Sequence, residues 1–250
     1  MKTIATLIVT YNRLSDLKVC VSCIREQTHQ PNAVYVINNG SNDGTDEWLA
    51  QQPDLTVVTQ ANLGGAGGFA TGIERAYNDG YDEIWCMDDD CVPTPDALKN
   101  LVESPNIGPG IKNCVSINVK NHEELAFFVR QNNKDYQRVS DMDGYDLIYG
   151  VASLFNGTLI SSEVIKAIGV PDKKLFIWGD EVEYMTRAMK NHFPVVTVPT
   201  SLLFHPPPSI GMASPGRARG KTTTASATNG ACFRTPTATS TALSCLCSGR

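Results

Sequence analysis

Asp88-Asp89-Asp90 is the part of this sequence best equipped for chemistry. Crowded carboxylates repel one another unless a positive charge compensates. Hard divalent cations such as Mg²⁺ or Mn²⁺ accept carboxylate oxygen and keep positions open for substrate phosphates. The run closes the apolar segment Glu83–Met87, and in open α/β sheets ligands bind beyond the carboxyl ends of the strands. The plainer alternative is a solvated turn, with Asp90 opening the loop before Pro93.

Three further segments offer chemistry. Asn62-Leu-Gly-Gly-Ala-Gly-Gly-Phe-Ala70 lies between a strand pattern and a helix pattern, and reads as a loop over Asn62–Gly68. Glycines allow close approach of backbone to a ligand, and the helix start that follows favours anions. Gly65-x-Gly67-x-x-Ala70 also fits a dinucleotide fingerprint, but that fingerprint belongs to the first βα turn of its unit. Asp180-x-x-Glu183 reads as a capping box, with Val182, Met185 and Met189 as the buried stripe and Glu183–Arg187 as an exposed pair four residues apart. That leaves Glu181, beside Trp178 and Gly179, without a structural task; a carboxylate there suits a general base for a hydroxyl. His205 closes an apolar strand before three prolines, where a metal ligand or a structural histidine would sit.

The elements that position these residues follow a repeating pattern. Thr3–Tyr11, Ala33–Asn39, Leu55–Gln60 and Glu83–Met87 read as strands. Between them lie a helix capped by Ser15 and running to about Gln27, a turn Asn39–Thr45 with a short helix through Leu49, and a helix to about Tyr77. This alternation implies βαβ units and a mostly parallel sheet flanked by helices. After Pro105 the pattern is irregular, with segments Val115–Val119, Leu125–Arg130 and Tyr149–Ser161, then a helix Asp180–Asn191 and an extended run Pro194–Phe204.

The 250 residues are 42% hydrophobic, enough for a real core. Neither an apolar run of roughly 18–20 residues nor a secretory signal pattern is present, which predicts a cytoplasmic protein. Net charge is −5, yet the basic residues Arg217, Arg219, Lys221, Arg234 and Arg250 sit in a tail without acids, so residues 1–213 carry −10. An acidic body argues against nucleic acid as a partner. Cys20-Val-Ser-Cys23 falls within an amphipathic helix, where cysteine serves as a small core residue. Among the 37 residues 214–250, eight are Thr, six Ala and five Ser, a composition that predicts disorder. The Thr clusters also suit tyrosine codons read one base out of phase; resequencing the DNA tests this.

Taken in order, these motifs resemble glycosyltransferase family 2, inverting enzymes of the GT-A fold, over roughly residues 3–210. Val9-Thr-Tyr-Asn-Arg13 is similar to the family's opening strand, and Val36-Ile-Asn-Asn-Gly-Ser-Asn-Asp-Gly-Thr45 to its second nucleotide-binding turn. Asp88-Asp89-Asp90 is similar to its metal motif and Trp178-Gly-Asp-Glu-Val-Glu-Tyr184 to its catalytic-base motif. Asn38-Asn39 stands where many members have an Asp on the base, and Glu181 where the base is more often Asp.

The resemblance implies an α/β GT-A domain over 1–213, with a nucleotide-sugar half (1–104) and an acceptor half (105–213). It implies Mn²⁺ or Mg²⁺ on Asp88, Asp90 and His205. Glu181, with Asp180 as rival, would be the base and Trp178 would stack on the acceptor. Thr10, Tyr11, Asn39, Gly64, Gly65 and Asp89 would contact the nucleotide-sugar. The glycine run is similar to that of galactofuranosyltransferases and points to a UDP-linked sugar such as UDP-galactofuranose; dTDP-rhamnose is the other donor weighed. The acceptor would be a glycan or lipid-linked glycan at the inner membrane face, reached through its lipid or through C-terminal helices the tail cannot supply. The opposing reading is a non-catalytic fragment that binds nucleotide-sugar without transferring it.

Overall fold

The structure, a computed structural model, describes residues 2–207 apart from 133, 151 and 178. The chain divides into Met1–Ile210 and Gly211–Arg250. The second unit, and with it the expectations for the 214–250 tail, lies outside the described residues, as does Trp178.

The first half alternates as the sequence predicts: β1 (Ile4–Thr10), α1 (Leu14–Arg25), β2 (Ala33–Asn38), α2 (Thr45–Leu49), β3 (Leu55–Thr59), α3 (Gly64–Asn78) and β4 (Glu83–Asp88). These four strands are parallel in the order β3-β2-β1-β4. β1 is buried at every position because both sheet faces are covered. Ala5, Leu7 and Val9 point into the core that α3 closes, through Phe69 and Ile73. Ile4 and Ile8 point the other way, onto Leu17, Cys20, Val21 and Ile24 of α1.

The second half comprises β5 (Val92–Pro93), α4 (Ala97–Glu103), β6 (Ile111–Asn118), β7 (Asn121–Gln131), β8 (Lys134–Arg138), β9 (Ile148–Tyr149), β10 (Asn156–Ser161), α5 (Ser162–Ile168), α6 (Asp180–Lys190) and β11 (Val195–His205). The sheet continues β4-β10-β6-β11-β5, with β7 on β6, β8 on β7 and β9 on β11. Here the expectation of a mostly parallel sheet gives way to a mixed one. β10 is antiparallel to both β4 and β6, whereas β11 runs parallel to β6. Short connections such as Val119–Lys120 between β6 and β7 permit only antiparallel neighbours, since a parallel pair needs a crossover of a dozen or more residues.

Three local expectations are corrected. α1 starts at Leu14, so Ser15 is inside its first turn; the Leu14 N–H is met by the Asp43 carboxylate at 2.9 Å, from the turn before α2. The glycine run is not a loop beyond Leu63: Gly64–Gly68 forms the first turns of α3. Gly68 and Gly72 lack room for a side chain, since an added Cβ would meet Val9 Cγ1 at 2.4 Å and Leu7 Cδ1 at 2.2 Å. Helix–sheet contact therefore overrides the low helix propensity of glycine. In α6 the buried face is Asp180, Tyr184, Met185 and Ala188, while Val182 and Met189 are exposed. Gly179 occupies the N-cap without a side-chain cap, so no capping box forms. That rotation turns Asp180 inward.

Candidate active site

The carboxyl ends of β1, β4 and β11 meet at the three aspartates. Thr10 Oγ1 donates to Asp89 Oδ2 at 2.7 Å. Arg13 Nη1 donates to Asp90 Oδ2 at 2.5 Å and reaches Asp89 Oδ1 at 3.4 Å. Burial and the charges of Asp90 and Asp89 push Asp88 up to about 8. Burial raises Asp89 to about 6 against the opposing pull of Thr10 and Arg13. Burial alone would raise Asp90 too, but His205 and Arg13 outweigh it and bring it down to about 2.

His205 is nearly buried and tilts against the Phe127 ring, with centroids 4.9 Å apart. Its Nδ1 faces the Pro206 carbonyl, which only accepts, so Nδ1 carries a proton. Nε2 then lies 3.0 Å from Asp90 Oδ1, a buried oxygen that has no hydrogen bond of proper geometry. Burial would lower the His205 pKa; Asp90 overrides this and raises it. An imidazole nitrogen and a carboxylate oxygen converging in a mostly buried site, with the far ring nitrogen held by a carbonyl, fit a divalent cation. One ligand atom each of Asp90, Cys91 and His205 lies within 4.8 Å of the others. Asp88 lines the same cleft.

Gly64 has φ +71°, and a Cβ there would stand 1.9 Å from the Phe176 carbonyl oxygen. That oxygen accepts the Ala66 N–H at 3.1 Å, so the segment before α6, which carries a 3-10 turn at Lys173–Leu175, is tied to the start of α3. Asn39 donates to the Gly64 carbonyl and accepts from Gln60, and thereby fixes the entry to α3. On the other side of the cleft, Glu181 Oε2 accepts the Gly179 N–H at 3.0 Å. Asp180 is 6% exposed, and burial together with Glu181 raises it to about 7.

Two cavities share this floor. One of about 610 Å³ is bounded by Thr10, Tyr11, Arg13, Asn39 and the three aspartates, with Gly64, Gly65 and Phe176 opposite. The other, about 270 Å³, is lined by Phe69, Phe127, Phe155, Asn156, Asp180 and Glu181. Gly65, Asp88, Ile177 and His205 belong to both. Every site residue anticipated from sequence thus lies at one of the two cavities, apart from Trp178, which is outside the described residues. Sequence reading missed the site contributions of Arg13, Phe127, Asn156 and Ile177. Arg13 was visible as the one cation near the strand end, while Phe127 is brought in only by the β6–β7 hairpin.

Two joined cavities flanking a carboxylate cluster on a GT-A-like sheet narrow the relatives to be expected. Residues 6–155 match Glycosyl transferase family 2. The chain belongs to this family. The galactofuranosyltransferase GlfT1 of Mycobacterium tuberculosis is 33% identical to this family 2 chain over 219 residues, covering 82% of the chain and 70% of the relative. Galactofuranosyltransferase GlfT2 of the same organism is 26% identical over 246 residues, covering 81% of the chain and 37% of GlfT2. Among solved structures, a mannosyltransferase from Pyrobaculum calidifontis in complex with GDP-Man and Mn²⁺ superimposes with a TM-score of 0.60 at 18% identity. It covers 84% of this chain, which spans 58% of the mannosyltransferase's length. TarS 1–349 of S. aureus with UDP gives 0.60 at 13% identity, covering 82% and 60%. The fold is that of GT-A glycosyltransferases, and the domain is a nucleotide-sugar glycosyltransferase. No helix among the described residues is long and apolar enough to cross a membrane.

Proposed function

We propose that this family 2 domain transfers galactofuranose, with inversion, from UDP-galactofuranose to a hydroxyl of a glycan or lipid-linked glycan, and that it needs a divalent cation. The observation that carries the reading is the meeting of the two cavities at Asp88 and His205, with Asp90 beneath and Glu181 across the cleft. The larger cavity takes the nucleotide diphosphate and the smaller one the acceptor. Similarity to GlfT1 and GlfT2 supports the choice of donor sugar.

Asp90 and His205, with Asp88, would hold Mn²⁺ or Mg²⁺, which when bound offsets the charge on the departing diphosphate. Thr10, Tyr11 and Asn39 flank the nucleoside, and Asp89 stands near its ribose. The glycine-started α3 offers backbone to the phosphates without side-chain obstruction, because Gly65 has open space around its Cβ position. Glu181 takes the proton from the acceptor hydroxyl as that hydroxyl attacks the anomeric carbon opposite the leaving nucleotide. Glu181 lines the acceptor cavity and its Oε2 is held by the Gly179 N–H, which fixes the carboxylate toward the acceptor side. Trp178, two positions before Asp180 in the sequence, is assigned to acceptor stacking. The transferase domain is placed at residues 1–213, halved near 104, in the cytoplasm against the inner membrane face.

The test is nucleotide release from UDP-galactofuranose and dTDP-rhamnose in the presence of Mn²⁺ and a glycan acceptor. UDP release with a new glycosidic bond is expected. Turnover of dTDP-rhamnose alone would reassign the donor, and binding without turnover would leave a non-catalytic nucleotide-sugar binder.

A further inference from the structure

Cys91 directly follows the aspartate run, yet nothing in the proposed transfer uses it. Its side chain is fully buried. Its thiol points toward Asn156 Oδ1 at 3.7 Å, on the acceptor side, and lies in the same tight group as a carboxylate oxygen of Asp90 and a ring nitrogen of His205. Asp90 Oδ1 is buried and faces His205 Nε2 at 3.0 Å, so a carboxylate oxygen and a ring nitrogen already converge beside this thiol.

We infer that Asp90, Cys91 and His205 form a second mode of cation binding, a carboxylate–thiolate–imidazole set that captures Zn²⁺ and thereby shuts the transferase down. This deepens the proposed function, because it rests on reading Asp90 and His205 as cation ligands.

Ligand softness gives the selectivity. Mn²⁺ and Mg²⁺ prefer oxygen and leave a thiol alone. Cys91 offers sulfur and no oxygen, and its side chain is fully buried, so hard cations do not draw on it. Zn²⁺ binds thiolate, imidazole and carboxylate together in tetrahedral sites, and sits far above Mn²⁺ in intrinsic affinity. On capture the Cys91 proton passes to solvent and the Sγ lone pair enters the metal bond. Asp90 and His205 are then drawn toward Cys91 and away from the position the diphosphate needs.

The experiment uses Co²⁺ as a spectroscopic probe on the full chain with Cys232, Cys245 and Cys247 replaced by Ser, so that only the body's thiols report. A near-ultraviolet thiolate-to-cobalt charge-transfer band is expected, bleached by Zn²⁺. It should vanish in Cys91→Ser and in Cys91→Ala, and persist in Cys20→Ser. In parallel, Zn²⁺ is titrated against each variant's own Mn²⁺-supported turnover, and half-inhibition should need at least about tenfold more Zn²⁺ in Cys91→Ser. Absence of the band in the parent chain, or its persistence in both Cys91 variants, overturns the inference. Equal Zn²⁺ sensitivity with and without Cys91 overturns it too. If one Cys91 variant does not fold, the other decides. A Cys91-dependent band in a chain that transfers no sugar would sink the proposed function and the shutdown with it, and leave only cation capture by Asp90, Cys91 and His205.

Discussion

Asp90 has Arg13 on one carboxylate oxygen and His205 on the other, while among the described residues no ion pair holds Asp88 or Asp180. The difference has a thermodynamic consequence. Asp88, Asp89 and Asp180 have folded-state pKa values of about 8, 6 and 7, all above the usual carboxylate value. A raised acid binds its proton more tightly in the folded state, so the stability these three groups contribute is fully present below the ordinary carboxylate value and is lost as pH climbs through their folded-state values. With divalent cations removed by EDTA, Tm should therefore decline between about pH 5 and pH 8. Mn²⁺ reverses the decline, and the Mn²⁺-minus-EDTA difference should widen across that window. At a hundredfold excess over Kd it should reach about 2.7 kcal/mol, or about 5–10 °C for a domain of this size. Thermal unfolding at several pH values measures it; a difference that stays flat with pH would contradict the assignment of Asp88 and its neighbours to a cation. Glu181→Gln is the second residue-scale case. It keeps the shape and the hydrogen bond to Gly179, so nucleotide affinity should hold while kcat drops about 10²–10⁴-fold. If Asp180→Asn alone gives that loss and Glu181→Gln does not, the base is Asp180.

At the scale of elements, α3 separates the two jobs that glycine performs in one short run. Gly72 faces Leu7 with no space for a methyl group, whereas nothing lies within 4 Å of the Cβ position at Gly65. Gly72→Ala overpacks the contact with β1 and should cost about 1–3 kcal/mol. Gly65→Ala should leave stability unchanged or raise it by up to about 1 kcal/mol through helix propensity, yet weaken donor binding, because its methyl enters the space shared by both cavities. Urea unfolding beside a nucleotide-binding titration separates the two, and equal destabilisation by both would refute the division of roles. The same helix marks where sequence reading stops. Glycine-rich sequence reads locally as loop, and only the unseen demand of Leu7 and Val9 for close approach makes it helical. α6 is a similar case: Val182 and Met189 fit a periodic stripe as well as Tyr184 and Ala188 do. The choice between them is made by Arg187, which donates to the Ile168 and Val170 carbonyls, and by the Tyr184 hydroxyl on the Gly169 carbonyl.

Over the whole molecule, the parallel half was legible because each strand is a short β-rich run set off by helix and turn signals. The aspartates, the glycine run, the α6 acids and His205 were legible by type and position. Their convergence was not, since it depends on β11 pairing parallel to β6 and on β10 entering antiparallel between β4 and β6. That insertion makes β4 a neighbour of the acceptor half and puts Asn156 beside Cys91. The proposed function makes one demand of the architecture: the cation ligands Asp88, Asp90 and His205, both cavities and the base Glu181 must act together. Sugar transfer from UDP-galactofuranose to a glycan acceptor, followed with and without Mn²⁺ in the wild-type chain and in Asp90→Ala, tests this most directly. The account predicts Mn²⁺-dependent transfer by the wild type and its loss in Asp90→Ala at every Mn²⁺ concentration. Equal transfer with EDTA, or by Asp90→Ala, would contradict it.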